Sequence, residues 1–196
     1  MAIRQVCVYA ASSDKCHASY LDAAGRLGRH LAKNGLGIVY GGGGSGLMGR
    51  LAQGALSEGG KVVGVIPRFM EEVEWGHTGL TELRVVDDMH QRKRTMLEAS
   101  DAVVALPGGC GTLEELFEAI AWKRLGLYTN PIAIVNTSGF YKPCVELLER
   151  CISERFMDPE HGAIWTLVDA PEEVVPALRS ASPWSKNAIR PPGKTT

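Results

Sequence analysis

Short apolar runs alternate with stretches of helical periodicity along the chain, and this alternation sets the expected fold. Ile3 to Ala10 reads as a first strand, left by the turn Ala11-Ser12-Ser13-Asp14. Tyr20, Leu21, Ala24, Leu27, Leu31 and Ala32 then recur at helical spacing until Asn34-Gly35 stops the helix. Leu36 to Tyr40 is a second buried strand, followed by the turn Gly41 to Gly46 and a helix from Leu47 to about Ser57. Lys61 to Ile66 makes a third strand that Pro67 closes. Arg68 to Thr81 lacks periodicity and reads as a long functional loop. Leu83 to Val86 is a short strand, and Asp87-Asp88 cap a helix running to Ala99. Asp101 to Leu106 is the next strand, and Thr112 opens a helix that continues to about Leu125. Pro131 to Val135, a helix from Tyr141 to Ser153, a short strand Trp165 to Val168 and a helix begun by Pro171-Glu172-Glu173 complete the pattern.

Strands spaced one βα unit apart predict an α/β fold: a doubly wound, Rossmann-like parallel sheet in a single domain. The domain is expected over 1–180, with 181–196, rich in Ser, Pro and Lys, as a loose tail. Ligands of such sheets sit beyond the carboxyl ends of the strands, where Ser12-Ser13, Gly41–Gly46 and Gly108–Gly111 all fall.

Composition narrows the class. The chain has 196 residues, 45% hydrophobic and 22% charged, ordinary for a globular domain long enough to bury a sizeable core. Its net charge of −1 gives no case for a nucleic-acid partner or an anionic membrane surface. The N-terminus leads directly into a strand, and no apolar run approaches the roughly 20 residues a membrane helix needs. Five cysteines, with no C-x-x-C pair, argue against a disulfide framework or a zinc site and suit a reducing cytoplasm.

The candidate chemistry centres on Val103 to Glu115. An apolar strand meets Pro107, then three glycines in four residues, then a helix N-terminus, which together aim free N–H groups at one point. That point suits a phosphate, with a carboxylate of the first helical turn facing whatever the phosphate carries. Thr112-Leu113-Glu114-Glu115 also satisfies the capping-box pattern, the bland reading of the same residues. The functional reading leads for Glu115, and the capping or solvent role leads for Glu114. Gly41–Gly46 matches G-x-G-x-x-G, but the third strand ends in Val65-Ile66-Pro67 without the ribose-binding acid of a dinucleotide site. A nicotinamide oxidoreductase is therefore disfavoured. Met89-His90-Gln91-Arg92-Lys93-Arg94 by itself reads as a solvated basic face. The histidines show no metal-ligand spacing, and Cys110 has no paired base, so no metal site and no cysteine nucleophile is expected.

Three segments in register resemble the Lonely Guy family of cytokinin-activating phosphoribohydrolases. They are Pro107-Gly108-Gly109-Cys110-Gly111-Thr112-Leu113-Glu114-Glu115, Tyr40 to Gly49, and Met89-His90-Gln91-Arg92-Lys93. The resemblance spans Val6 to about Asn136. It implies hydrolysis of the N-glycosidic bond of an adenine-type nucleoside 5′-monophosphate, with Arg92 and Glu115 catalytic. It further implies Lys93 beside the nucleotide and Gly108, Gly109, Cys110, Gly111 and Thr112 around its phosphate. Glu74 falls where the family places another substrate contact, and Glu114, Gly43 and Ser13 complete the expected binding set. It implies a homodimer and no cofactor. The lysine decarboxylase label that such proteins carry is not supported, since no residue is identifiable as a pyridoxal-phosphate lysine. The first turn, Ala10-Ala11-Ser12-Ser13, departs from the family's usual Cys-Gly-Ser-Ser, and Ala121 replaces a common threonine. The alternative to an enzyme is a nucleotide-binding carrier or sensor on the same fold edge.

Overall fold

Seven short strands pair in parallel in the order β4-β3-β2-β1-β5-β6-β7, in a computed structural model that describes residues 2–71 and 79–185. The strands are β1 (Gln5–Tyr9), β2 (Gly37–Tyr40), β3 (Val62–Pro67), β4 (Glu82–Val86), β5 (Ala102–Ala105), β6 (Ile132–Val135) and β7 (Trp165–Val168). The helices are α1 (Ala18–Lys33), α2 (Gly46–Leu56), α3 (Met89–Glu98), α4 (Cys110–Arg124), α5 (Lys142–Ser153) and α6 (Val174–Ser180). The predicted α/β doubly wound sheet is therefore the observed one, with β1, β2, β5 and β6 one to three residues shorter than their apolar runs.

Both faces of the central strands are buried, which is why they read as continuous apolar runs. Val6, Val8, Ile38 and Tyr40 point into one core layer, together with α1, α2 and α6. Cys7, Tyr9, Val39, Val103 and Ala105 point into the other, against α3, α4 and α5. The order of strands reverses between β1 and β5, so a crevice opens beyond their carboxyl ends. At the opposite end Asp101 accepts hydrogen bonds from the Arg4 and Gln5 backbone N–H groups, at 2.8 and 3.0 Å, pinning the start of β1 to β5.

Two expectations change here. The helix expected to open at Thr112 begins at Cys110, with Gly109 as its cap. Glycine at position 111 does not delay the helix, because its φ need not be left-handed there. The tail is not loose from its first residue: the Trp184 indole N–H donates to the Lys123 carbonyl at 2.6 Å, and the ring packs on the α4–α5 core layer. An aromatic residue with a polar handle is enough to anchor an otherwise polar stretch. Residues 186–196 lie outside the described residues. Among the described residues no helix is long and apolar enough to cross a membrane.

α1 and α2 approach backbone to backbone because glycine sits at the contact. A Cβ at Gly28 would stand 2.1 Å from the Leu51 carbonyl oxygen of α2. Gly28→Ala must push the two helices apart and is expected to cost roughly 1–3 kcal/mol. At about 2–4 °C per kcal/mol for a chain of this size, thermal denaturation will show the drop, and an unchanged midpoint would refute the tight contact.

Candidate active site

The β1–β5 crevice holds a cavity of about 350 Å³, walled by strand ends and by the helices α2, α3 and α4. Ala10 to Ser13 line it from the end of β1, Gly41 from the first glycine turn, Met48 from the start of α2, and Met89, Arg92 and Met96 from α3. Gly109, Gly111, Thr112, Glu114 and Glu115 close it from α4.

Arg92 is only 6% exposed, so the solvated-face reading of the basic run fails at this residue. Its Nε donates to the Val65 carbonyl at 3.1 Å and its Nη2 to the Gly41 carbonyl at 2.9 Å. Nη1 lies against the sulfurs of Met89 and Met70, at 3.7 and 4.0 Å. Ends of strands supply carbonyls that have run out of ladder partners, and a planar guanidinium suits two at once. The glycine at 41 is required for this: a Cβ there would stand 2.1 Å from Nη2. The first glycine turn thus seats an arginine.

Lys93, also 6% exposed, faces α4 and does not line the cavity. Its ammonium bonds Glu114 and lies 3.2 Å from Glu118, bracing α3 against α4. In this structure Lys93 meets the cavity wall through Glu114, which lines it. Burial pulls the ammonium down, but the bonds to both carboxylates outweigh it and hold its pKa above the ordinary lysine value.

Glu115 is 8% exposed and is the sixth residue of α4. The helix has no acid in its first turn, so the capping box does not form and the carboxylate stands one turn deeper than expected. The shift follows from the earlier helix start at Cys110. Burial above all, and then the Glu115 carboxylate, push up the Cys7 thiol, while Arg92 pulls that thiol back. The Tyr9 and Tyr141 phenols are raised as well, again chiefly by burial, with Glu115 contributing. Both charges are thus felt at Cys7 beneath the crevice.

The glycines of the α4 turn divide into two kinds. At Gly108 a Cβ would stand 2.2 Å from the Thr112 hydroxyl, so packing demands glycine there. At Gly109 and Gly111 a Cβ would meet no heavy atom within 4 Å, and both residues line the cavity. Gly108 itself, Cys110 and Gly43 do not line it. Cys110 is exposed, and Gly43 is buried with its carbonyl accepting from the Tyr40 hydroxyl at 3.2 Å. Ser13 and Thr112 do line it, and Glu74 lies outside the described residues.

Sequence reasoning assigned no role to the thioethers of Met48, Met70, Met89 and Met96, which form much of the wall. The signal was present: Met89 and Met96 flank Arg92 at i−3 and i+4, on one face of α3. Among the described residues, Asp158, Glu160 and His161 group their potential ligand atoms within 4.8 Å of one another. Two of the three, Asp158 and His161, form a capping box, with His161 Nδ1 accepting from the Asp158 N–H at 2.9 Å.

Fold and site together define a doubly wound α/β protein with a helix-terminus cradle and a buried arginine and glutamate at the switch point. Residues 48–178 match the family described as "Possible lysine decarboxylase". The chain is 40% identical over 186 residues to a probable cytokinin riboside 5′-monophosphate phosphoribohydrolase of Oryza sativa subsp. japonica, covering 95% of this chain and 76% of that protein. It is 44% identical over 162 residues to the cytokinin riboside 5′-monophosphate phosphoribohydrolase of Rhodococcoides fascians, covering 82% of each. The molybdenum cofactor carrier protein of Chlamydomonas reinhardtii shares the fold, with a TM-score of 0.71 at 18% identity over 91% of this chain and 97% of that one. The chain belongs to this family, and within it to the Lonely Guy phosphoribohydrolases. Among the described residues no lysine lines the cavity, so the decarboxylase description finds no Schiff-base amine there.

Because the folded pKa of Lys93 lies above its unfolded one, its contribution to stability is complete below the ordinary lysine pKa of about 10.4 and fades as pH rises past that value. The difference in unfolding free energy between wild type and Lys93→Met, measured in urea, is expected to be flat from pH 8 to about 10 and to shrink above it. A difference that grows with pH would contradict the assignment.

Proposed function

We propose that the protein hydrolyses the N-glycosidic bond of adenine-type nucleoside 5′-monophosphates, a cytokinin riboside monophosphate or AMP, giving free base and ribose 5-phosphate. The observation that carries this reading is the pair Gly109 and Gly111, open to the cavity where neither packing nor backbone angle asks for glycine. A phosphate seated on the start of α4 gives the missing reason, since only a bare backbone lets an anion reach those N–H groups. Relatives named for this reaction support it.

With the phosphate on Gly109, Gly111 and Thr112, the ribose extends toward the second turn of α4 and Glu115. As the bond from C1′ to the base nitrogen breaks, its electron pair leaves with the base, which takes up a proton. Positive charge builds on C1′ and the ring oxygen, and the Glu115 carboxylate stabilises it. Water then adds to C1′, guided by the same carboxylate, and gives up its proton. Arg92, fixed by two carbonyls, orients carboxylate and ribose across the cavity. Phosphate binding supplies energy used at the reacting carbon. Ser13, Gly43, Glu74, Lys93, Gly108, Cys110 and Glu114 complete the proposed site, Lys93 by bracing Glu114. The scheme needs no metal and no cofactor. A homodimer in the cytoplasm belongs to the same reading, on the family resemblance.

Incubation with AMP is expected to release adenine, and parallel assays with isopentenyl-AMP rank the two bases. Glu115→Gln is expected to lower kcat by on the order of a hundredfold or more, with AMP still bound. Unchanged turnover would remove the carboxylate from the mechanism. AMP bound by the wild type without adenine release would instead make the protein a carrier.

A further inference from the structure

The α4 turn must be held still to present its N–H groups, and a residue outside the cavity does the holding. The β5–β6 ladder ends at Ala105 paired with Ile134, so the Leu106 carbonyl lies past the last pair. The Leu106 N–H still bonds the Tyr9 carbonyl at 2.9 Å, continuing the β1 side. The Asn136 N–H belongs to the β6–β7 ladder, which it extends by donating to the Val168 carbonyl at 2.7 Å. Past the last pair of both β5 ladders, the buried Leu106 oxygen accepts from the Tyr141 hydroxyl, at 2.8 Å across 35 residues of sequence. Pro107 follows, with no N–H of its own, and then the cradle begins.

Tyr141 is itself fixed. It is fully buried, its backbone N–H donates to Asn136 Oδ1 at 2.9 Å, and Asn136 Nδ2 donates to Asp169 at 3.1 Å. Phe140 meets the Tyr141 ring edge-on at 5.0 Å. A buried phenol needs some partner, and most find one without functional consequence. This phenol meets the one carbonyl through which β5 passes into the turn, from a base anchored on β6 and β7.

We propose that Tyr141 is a positioning residue for the phosphate cradle: its hydroxyl holds the Leu106 carbonyl and so sets where Gly109, Gly111 and Thr112 present their N–H groups. The inference rests on the hydrolase reading for its kinetic test, though not for its binding test. Tyr141→Phe keeps the ring and removes the one hydrogen bond. The expected result is a KM for AMP raised about tenfold with kcat within about threefold of wild type. Inhibition by ribose 5-phosphate weakens by a similar factor, while inhibition by adenosine, which has no phosphate, stays unchanged. Leu148→Ala, a core change on α5 chosen to lower Tm comparably, leaves the phosphate-dependent split absent. Equal loss for adenosine and ribose 5-phosphate, no loss for either, or the same split in Leu148→Ala overturns the proposal. If Tyr141→Phe does not fold, Asn136→Ala, which frees the Tyr141 backbone, is measured in the same way. If the wild type releases no adenine, the hydrolase reading falls. Calorimetric Kd values for AMP, ribose 5-phosphate and adenosine then still decide the role of Tyr141.

Discussion

A guanidinium gripped by two backbone carbonyls is the constraint from which the crevice takes its shape. Arg92 reaches from α3 to the carbonyls of Val65 and Gly41, closing the ends of β3 and β2 with one side chain. Burying a charge is expensive unless its hydrogen bonds are met, and here strand ends that need donors meet a group that has only donors. The remaining edge of the guanidinium rests on methionine sulfurs at the cavity wall. Glycine at 41 follows from that seat, and so does the position of α3, which carries Lys93 to α4.

The opposite wall is built by a different device. There the helix terminus, not a side chain, provides the polar surface, and small residues leave it bare. Cationic on one side and rich in N–H donors on the other, the cavity suits an anionic ligand with a sugar between its two ends. The same fold serves a molybdenum cofactor carrier at low identity, so architecture alone does not choose between holding and cleaving. What argues for cleavage is a carboxylate placed one helical turn beyond the cradle, buried and facing inward.

Much of the fold was legible because parallel strands buried on two faces leave long apolar runs, and each run was in fact a strand. The Gly-rich turns and Arg92 and Glu115 were legible as motifs. The start of α4 was not: three glycines suggested a turn up to Thr112, yet nothing in a glycine forbids helical angles, and Gly111 entered the helix while Gly109 became its cap. The inward turn of Arg92 was hidden by its neighbours His90 and Arg94, which are exposed and made the segment look solvated. The partners of Lys93 were not legible, because Glu114 and Glu118 come from another helix and no local pattern reports a tertiary ion pair. Tyr141 and Trp184 escaped for the same reason, since each acts through a carbonyl far along the chain.

The clasp between Asp101 and the amides of Arg4 and Gln5 has a practical corollary for handling the protein. Since β1 enters at the rim remote from the crevice, an affinity handle or fluorescent fusion joined ahead of Ile3 departs from the rear of the sheet. Attachment there leaves the nucleotide approach unobstructed, provided the linker spares the two amides that the aspartate captures.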